Sequence, residues 1–295
     1  MGCDGSWLML QFRGNYRHEP VIVGRQRVRM LRAAYRLMRL VVQFLRGIAV
    51  AAALPAVPLR TRQALLAWWA RGVLAALGVR VYVSGAARLE PGLVVANHVS
   101  WLDVLAICAA RPALFVCKSE VAGWPGIGWL LRRAGTIFIQ RRSFRGVWRV
   151  NLQLRARFME GQTVAAFPES TTTEGHDVLP FRPALFQPAV ERGLPVYPMA
   201  IAYNSGVAAF VGERTFAQSL LAIARARDLS VHVAALAPMS TRGLQRREVA
   251  ARACNAIRAR LLGLQLYADA STVAIAHRTI SQLSARRHAA ATLEH

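Results

Sequence analysis

The stretch Leu93-Val94-Val95-Ala96-Asn97-His98-Val99-Ser100-Trp101-Leu102-Asp103 decides how the chain is read. Its first four residues are apolar without alternation, the pattern of a short strand buried on both faces, and such strands belong to sheets covered by helices on either side. Asn97, His98 and Ser100 end the run, and Trp101-Leu102-Asp103 opens a segment of helical composition. In one continuous helix the five-residue spacing from His98 to Asp103 would turn the two side chains about 500° apart, onto different faces. With His98 in the turn before the helix, Asp103 can reach back to an imidazole nitrogen. A carboxylate placed there fixes the tautomer and leaves the other nitrogen basic. The competing reading is a capped helix, with Asn97 or Ser100 as the cap and the histidine incidental.

Working outward, short apolar runs recur at residues 113–117, 136–139, 164–167, Val196–Tyr203 and 231–236, interleaved with helical spacing at 148–160 and 184–192. This predicts an α/β domain over residues 81–240, a mixed central sheet flanked by helices. Phe167-Pro168-Glu169-Ser170-Thr171-Thr172-Thr173-Glu174-Gly175 follows another of these runs. Open α/β sheets bind ligands at the carboxyl ends of their strands, so Glu169 and the hydroxyl residues behind it form a candidate binding loop; a solvated turn is the plain alternative. No G-x-S-x-G surrounds Ser170, which argues against a serine nucleophile. Lys118 and Arg141 each sit just past an apolar run, where a cation suits an anionic substrate group.

The chain of 295 residues carries 38 Lys+Arg against 15 Asp+Glu, a net charge of +23, yet is 54% hydrophobic. A disordered basic tail would lack the apolar residues for a core. Cys3, Cys108, Cys117 and Cys254 are scattered without a CxxC pair, which excludes a disulfide-stapled module and points to no metal site. Lys118 is the only lysine, so the positive charge is arginine. Thirteen arginines and two acids fall in residues 1–80, around the most apolar part of the chain. Residues 40–59 are long enough to cross a bilayer, but Arg46, Pro55 and Pro58 interrupt them. Residues 65–79 contain Trp68 and Trp69 between Arg62 and Arg80, a composition suited to the lipid boundary. Residues 1–80 therefore read as a basic N-terminal region with two membrane-associating helices over 28–79, against the alternative of two buried core helices. Residues 241–295 read as a basic helical extension with Ala253, Ile257, Leu261 and Leu264 on one face. Residues 1–27 show no signal-peptide core, Gly2-Cys3 only faintly suggests a lipidation start, and 293–295 have the look of a tag remnant. A pI near 11.6 raises nucleic acid as a partner. No RNP, zinc-finger or homeodomain pattern is present, however, and the arginines flank apolar helices, where anionic lipid accounts for them.

Four blocks together carry a resemblance that none carries alone: NHVSWLD (97–103), GTIFIQR (135–141), FPEST (167–171) and LPVYP (194–198). In order and spacing they resemble the NHxSxxD, second, FPEGT and fourth blocks of the lysophospholipid acyltransferases, the membrane family that includes 1-acylglycerol-3-phosphate acyltransferase. The resemblance covers about residues 80–240. It implies an O-acyltransferase in which His98 is the general base, Asp103 orients it, and the lysolipid hydroxyl attacks an acyl thioester directly. It further implies Glu169 and Arg141 at the acceptor's glycerol-phosphate portion, with Asn97, Ser100, Lys118, Ser170, Thr171 and Thr172 completing the substrate-binding set. No cofactor is implied beyond acyl-CoA or acyl carrier protein as co-substrate. The implied partners are a lysolipid and an anionic membrane, with the catalytic domain on the cytosolic face of the inner (cytoplasmic) membrane. Two positions depart from the pattern: Ser170 replaces a glycine and Thr172 an arginine, which removes a bidentate phosphate ligand. Thr171-Thr172-Thr173-Glu174-Gly175 resembles instead the TTxxG version of a bacterial subgroup, some of whose members acylate lyso-ornithine lipid. The implied acceptor is 1-acyl-sn-glycerol-3-phosphate, with lyso-ornithine lipid as the alternative. A non-catalytic basic protein binding membrane or nucleic acid is the reading of another class.

Overall fold

Helical and extended segments alternate from Val79 onward in a computed structural model that describes residues 20–85, 90–140 and 144–264. Two long helices come first, α1 (Pro20–Ala53) and α2 (Leu59–Leu77). They are followed by β1 (Val79–Ser84), β2 (Leu93–Ala96), α3 (Leu102–Ala110), β3 (Leu114–Lys118), α4 (Ile127–Arg133) and β4 (Ile137–Ile139). Then come α5 (Phe144–Met159), β5 (Val164–Ala166), α6 (Gln187–Glu191), β6 (Val196–Tyr203), α7 (Phe216–Arg225) and β7 (Leu229–Ala235), and a last helix, α8, covers residues 246–264. Arg141, Gly2-Cys3 and residues 265–295 lie outside the described residues.

The seven strands form one sheet in the order β1-β7-β6-β2-β5-β3-β4. β6, β2, β5, β3 and β4 run parallel, while β7 is antiparallel to β6 and β1 parallel to β7, so the sheet is mixed. Side-chain alternation divides β2 between two cores. Val94 and Ala96 join Leu102, Ile107, Leu74 and Ile223 on the face covered by α2, α3 and α7. Leu93 and Val95 join Leu154, Phe158, Phe186 and Ile257 on the face covered by α5, α6 and α8. With all four residues of β2 buried, the strand reads as a continuous apolar run.

β1 was not foreseen. Val79, Val81 and Val83 alternate with Arg80, Tyr82 and Ser84, which is a strand pattern, but only Gly78 separates it from the apolar helix before it. Gly78, at φ 71, ends α2 in the left-handed conformation. Residue 80, the expected limit of the N-terminal region, thus falls inside the sheet's edge strand.

The two N-terminal helices have different fates. α2 buries Ala70, Val73, Leu74 and Leu77 in the first core, with Trp68 left exposed. α1 lies on α2, where Gly47 admits the Trp69 indole: a Cβ there would stand 2.7 Å from Nε1, which donates to the Gln43 carbonyl at 2.8 Å. The outer side of α1 exposes Leu31, Tyr35, Met38, Val41 and Leu45. Among the described residues, residues 26–56 are the one helical stretch long and apolar enough to cross a membrane.

Candidate active site

The chain leaves β2 onto the face of α3, whereas it leaves the neighbouring strand β5 through a loop whose Phe181 and Phe186 join the opposite core. Segments departing to opposite faces open a crevice at the carboxyl ends of two adjacent strands. His98 stands at the end of β2, with Glu169 of the neighbouring loop directly behind its main chain.

Asn97 begins the site by prolonging β2 with its side chain. Its Nδ2 donates to the Ile201 carbonyl at 2.9 Å, and its Oδ1 accepts from the Ile201 N–H at 2.7 Å. The fully buried amide takes the place of a ladder residue opposite β6, which frees the backbone to turn away. Ser100, also buried, accepts weakly from Leu102 N–H at 3.4 Å.

Asp103 lies in the first turn of α3 and is completely buried. Its Oδ2 accepts from His98 Nδ1–H at 2.8 Å and from the Val99 and Ser100 N–H groups at 2.7 and 2.9 Å. Its Oδ1 accepts from the Tyr203 hydroxyl at 2.7 Å. Four donors and a helix N-terminus surround the carboxylate in a dry place. Burial, then the neighbouring Asp103 charge, pushes the Tyr203 phenol well above its ordinary range, so it stays a donor. With Nδ1 committed to Asp103, Nε2 is the free, basic nitrogen. The ring stacks on Phe167 at 4.0 Å between centroids and 12° between planes, and 13% of the His98 side chain remains accessible. The imidazole is therefore fixed in plane and open at one end.

Glu169 is 5% exposed and turns inward. Oε1 accepts from His98 N–H at 2.6 Å and Oε2 from Leu179 N–H at 2.9 Å. Burial raises the carboxyl to about 7 against the pull of these two hydrogen bonds, with the Asp103 and Asp177 charges adding to the rise. The next residue, Ser170, holds φ 63, the one non-glycine left-handed conformation among the described residues, which accounts for glycine in the related motif. Thr172 donates its hydroxyl to the Phe210 carbonyl. Thr173 N–H donates to the His98 carbonyl at 2.8 Å, and Phe210 N–H to the Val99 carbonyl at 2.9 Å. Gly175, at φ 85, passes so close to Val99 that a Cβ would stand 2.9 Å from its methyl. The loop is thus sewn to the histidine turn. α8 braces it from behind: Arg258 donates to Asp177 Oδ1 at 2.7 Å and to the Val178 carbonyl at 2.5 Å, beside the Leu179 N–H that serves Glu169.

The structure therefore brings Asn97, His98, Ser100, Asp103, Glu169, Ser170 and Thr172 together, with Thr171 exposed on the loop. Lys118 is exposed at the carboxyl end of β3, on the same sheet edge and two strands from β2, about 10 Å across. Sequence reasoning missed Tyr203, Phe167 as a stacking partner, and Phe210. Tyr203 closes β6, the strand that the fourth block opens; a phenol ending a buried strand was its only sequence signal.

The model of the acyltransferase domain family matches residues 79–202. A lyso-ornithine lipid O-acyltransferase of Pseudomonas aeruginosa is 41% identical over 208 residues, 68% of this chain and 80% of that protein. The chain belongs to the acyltransferase family. A 1-acyl-sn-glycerol-3-phosphate acyltransferase of Neisseria meningitidis is 43% identical over 135 residues, 45% of this acyltransferase and only 53% of its relative. The crystal structure of the 1-acyl-sn-glycerophosphate (LPA) acyltransferase from Thermotoga maritima shares the fold, with a TM-score of 0.64 over 82% of this chain and 98% of that one at 20% identity. The acyltransferase groups with enzymes named for lysolipid acylation, and its apolar α1 agrees with membrane association.

Proposed function

We propose that this acyltransferase moves a fatty acyl group from acyl-CoA or acyl carrier protein to the free hydroxyl of lyso-ornithine lipid, at the cytosolic face of the inner membrane. The carrying observation is the His98–Asp103 pair, buried on the Asp side and open at Nε2. An alcohol is a poor nucleophile until a positioned base takes its proton. His98 Nε2 accepts that proton, Asp103 steadies the imidazolium, and the hydroxyl oxygen adds to the thioester carbonyl. When the tetrahedral intermediate collapses, the C–S bond breaks and the thiolate leaves with the proton from Nε2. The products are an ester and a free thiol, with the histidine returned to its starting state.

Two observations support the acceptor. Of the two sequence relatives above, the one matched over the greater length is a lyso-ornithine lipid enzyme, and Thr172, where the phosphate-binding arginine of the related motif stands, is tied to the Phe210 carbonyl. Lys118 and the Neisseria relative favour a second reading, 1-acyl-sn-glycerol-3-phosphate. Anionic lipid, not nucleic acid, is the surface suited to α1, whose exposed apolar side chains interleave with arginines.

The test offers purified protein lyso-ornithine lipid and 1-acyl-sn-glycerol-3-phosphate with each donor. His98→Ala should lower turnover about a hundred- to ten-thousand-fold with the thermal transition unchanged; full activity in that variant would discard the mechanism. Thr172→Arg should shift preference toward the phosphate acceptor, and an unmoved preference would remove position 172 from headgroup recognition.

A further inference from the structure

The sheet edge opposite the crevice holds a cavity of about 210 Å³, set where β3, β4 and β5 begin, against the first turns of α2 and the last turns of α4 and α5. Arg62, Arg132, Arg133 and Arg157 line it, and no acidic side chain does. The hydrogen bonds of two of these arginines go to neutral acceptors. Arg62 donates from Nε to the Val57 carbonyl at 2.8 Å and from Nη2 to the Pro55 carbonyl at 3.2 Å, and Arg132 donates to the Ala122 carbonyl at 2.8 Å. Arg133 lies over the Trp129 ring at 5.6 Å. Among the described residues, Arg157 alone of the four has a carboxylate, the exposed Glu160 at 3.0 Å. In the same wall Gln162 Oε1 is buried without a hydrogen-bond partner, and a flipped amide would present its NH2 there. α2 adds an N-terminus with Pro58 at the cap, no side-chain cap and no acid in its first turn. Its dipole reinforces the positive potential. Three like charges gathered without counter-ions repel, and a multi-oxygen anion that accepts from several guanidinium forks relieves this.

We propose that this cavity binds a phosphate group, carried by an acidic phospholipid or free in solution. Leu54, Leu59 and Leu114 supply an apolar wall beside the arginines, which suits a phosphate attached to a carbon skeleton. The cavity adjoins the turn between α1 and α2, at the end of the helix that exposes apolar side chains, so a headgroup at a membrane surface can reach it. The length of β3, about 13 Å from Leu114 to Lys118, separates it from the catalytic edge. A phosphate held there is therefore clear of the reacting hydroxyl and thioester, and the inference does not depend on the proposed activity.

The experiment reads binding. Full-length protein in a neutral detergent is titrated with inorganic phosphate, chloride keeping ionic strength constant, and the thermal transition is followed. A parallel arm measures co-flotation with phosphatidylcholine vesicles with and without phosphatidylglycerol. The expected result is stabilisation or flotation that depends on the phosphate anion, with the half-saturating concentration raised about tenfold in Arg132→Gln/Arg133→Gln, as loss of charged hydrogen bonds predicts. Arg192→Gln/Arg247→Gln, two exposed arginines elsewhere, is the charge-matched control and should behave as wild type. A response to phosphate alone assigns a free anion, and a response to phosphatidylglycerol alone assigns a lipid; both uphold the site. No response in either arm, or equal loss in the two double variants, overturns it. Should the first pair unfold, Arg157→Gln is read in the same titrations.

Discussion

Replacing Glu169 by glutamine tests the inward-facing carboxyl through stability. In the folded chain its carboxyl titrates at about 7, against an ordinary 4.5, because it is buried. A raised acid contributes stability that is fully present below about pH 4.5 and lost as pH rises through about 7. The shift corresponds to roughly 3 kcal/mol. Glutamine is the same shape and never ionises, so the variant should be less stable than wild type at pH 5, where it forfeits a good hydrogen bond. It should then gain on wild type by roughly 3 kcal/mol by pH 8. Other titrating groups are common to both proteins and drop out of the difference. For a chain of this size that is a relative swing of about 5 °C in the thermal transition. The assay is a set of melts of both proteins in one detergent from pH 5 to 8. A difference that stays constant across that range would refute the reasoning, since it would mean that the carboxyl does not change charge where its burial says it must.

Tyr203→Phe removes the donor to Asp103 Oδ1; about 2 kcal/mol of stability should go, as for a hydrogen bond to a charged group, and kcat should fall while KM holds. A KM change with kcat intact would place Tyr203 against substrate instead of behind Asp103. Asn97→Ala leaves the Ile201 N–H and carbonyl without their side-chain partners, and denaturant unfolding should report a loss of about 3 kcal/mol. Ser170→Val puts a β-branched residue at φ 63, a strain of about 2 kcal/mol; an unshifted unfolding midpoint would show that the loop relaxes.

What could be read in advance was local. β2 and β6 were legible to the residue because strands buried on both faces are unbroken apolar runs. The His98–Asp103 contact was legible because a strand end, a turn and one helical turn determine it. β1 was hidden because its alternation follows an apolar helix with one glycine between them, and the two periods blur. Tyr203 is 100 residues from Asp103 along the chain and Phe167 lies 69 from His98, so neither pairing leaves a local trace. Glu169 was legible as a site residue, but sequence could not show that both its oxygens face main-chain N–H groups instead of the crevice. α1 and α2 look alike in composition; only the sheet beneath them decides that one is core and the other presents an apolar outer side.

The bracing of the Glu169 loop by α8 has a consequence for how the protein is made. Arg258 is among the last described residues, while the face of α3 opposite is covered by α2, among the first. A growing chain that has passed the last motif block still lacks Val249, Ala253, Ile257 and Leu261, the apolar row that closes the second core. Synthesis thus completes the apolar N-terminal helix well before His98 and Glu169 are locked in position, and a fragment cut at residue 240 would carry every motif without the clamp that aligns them.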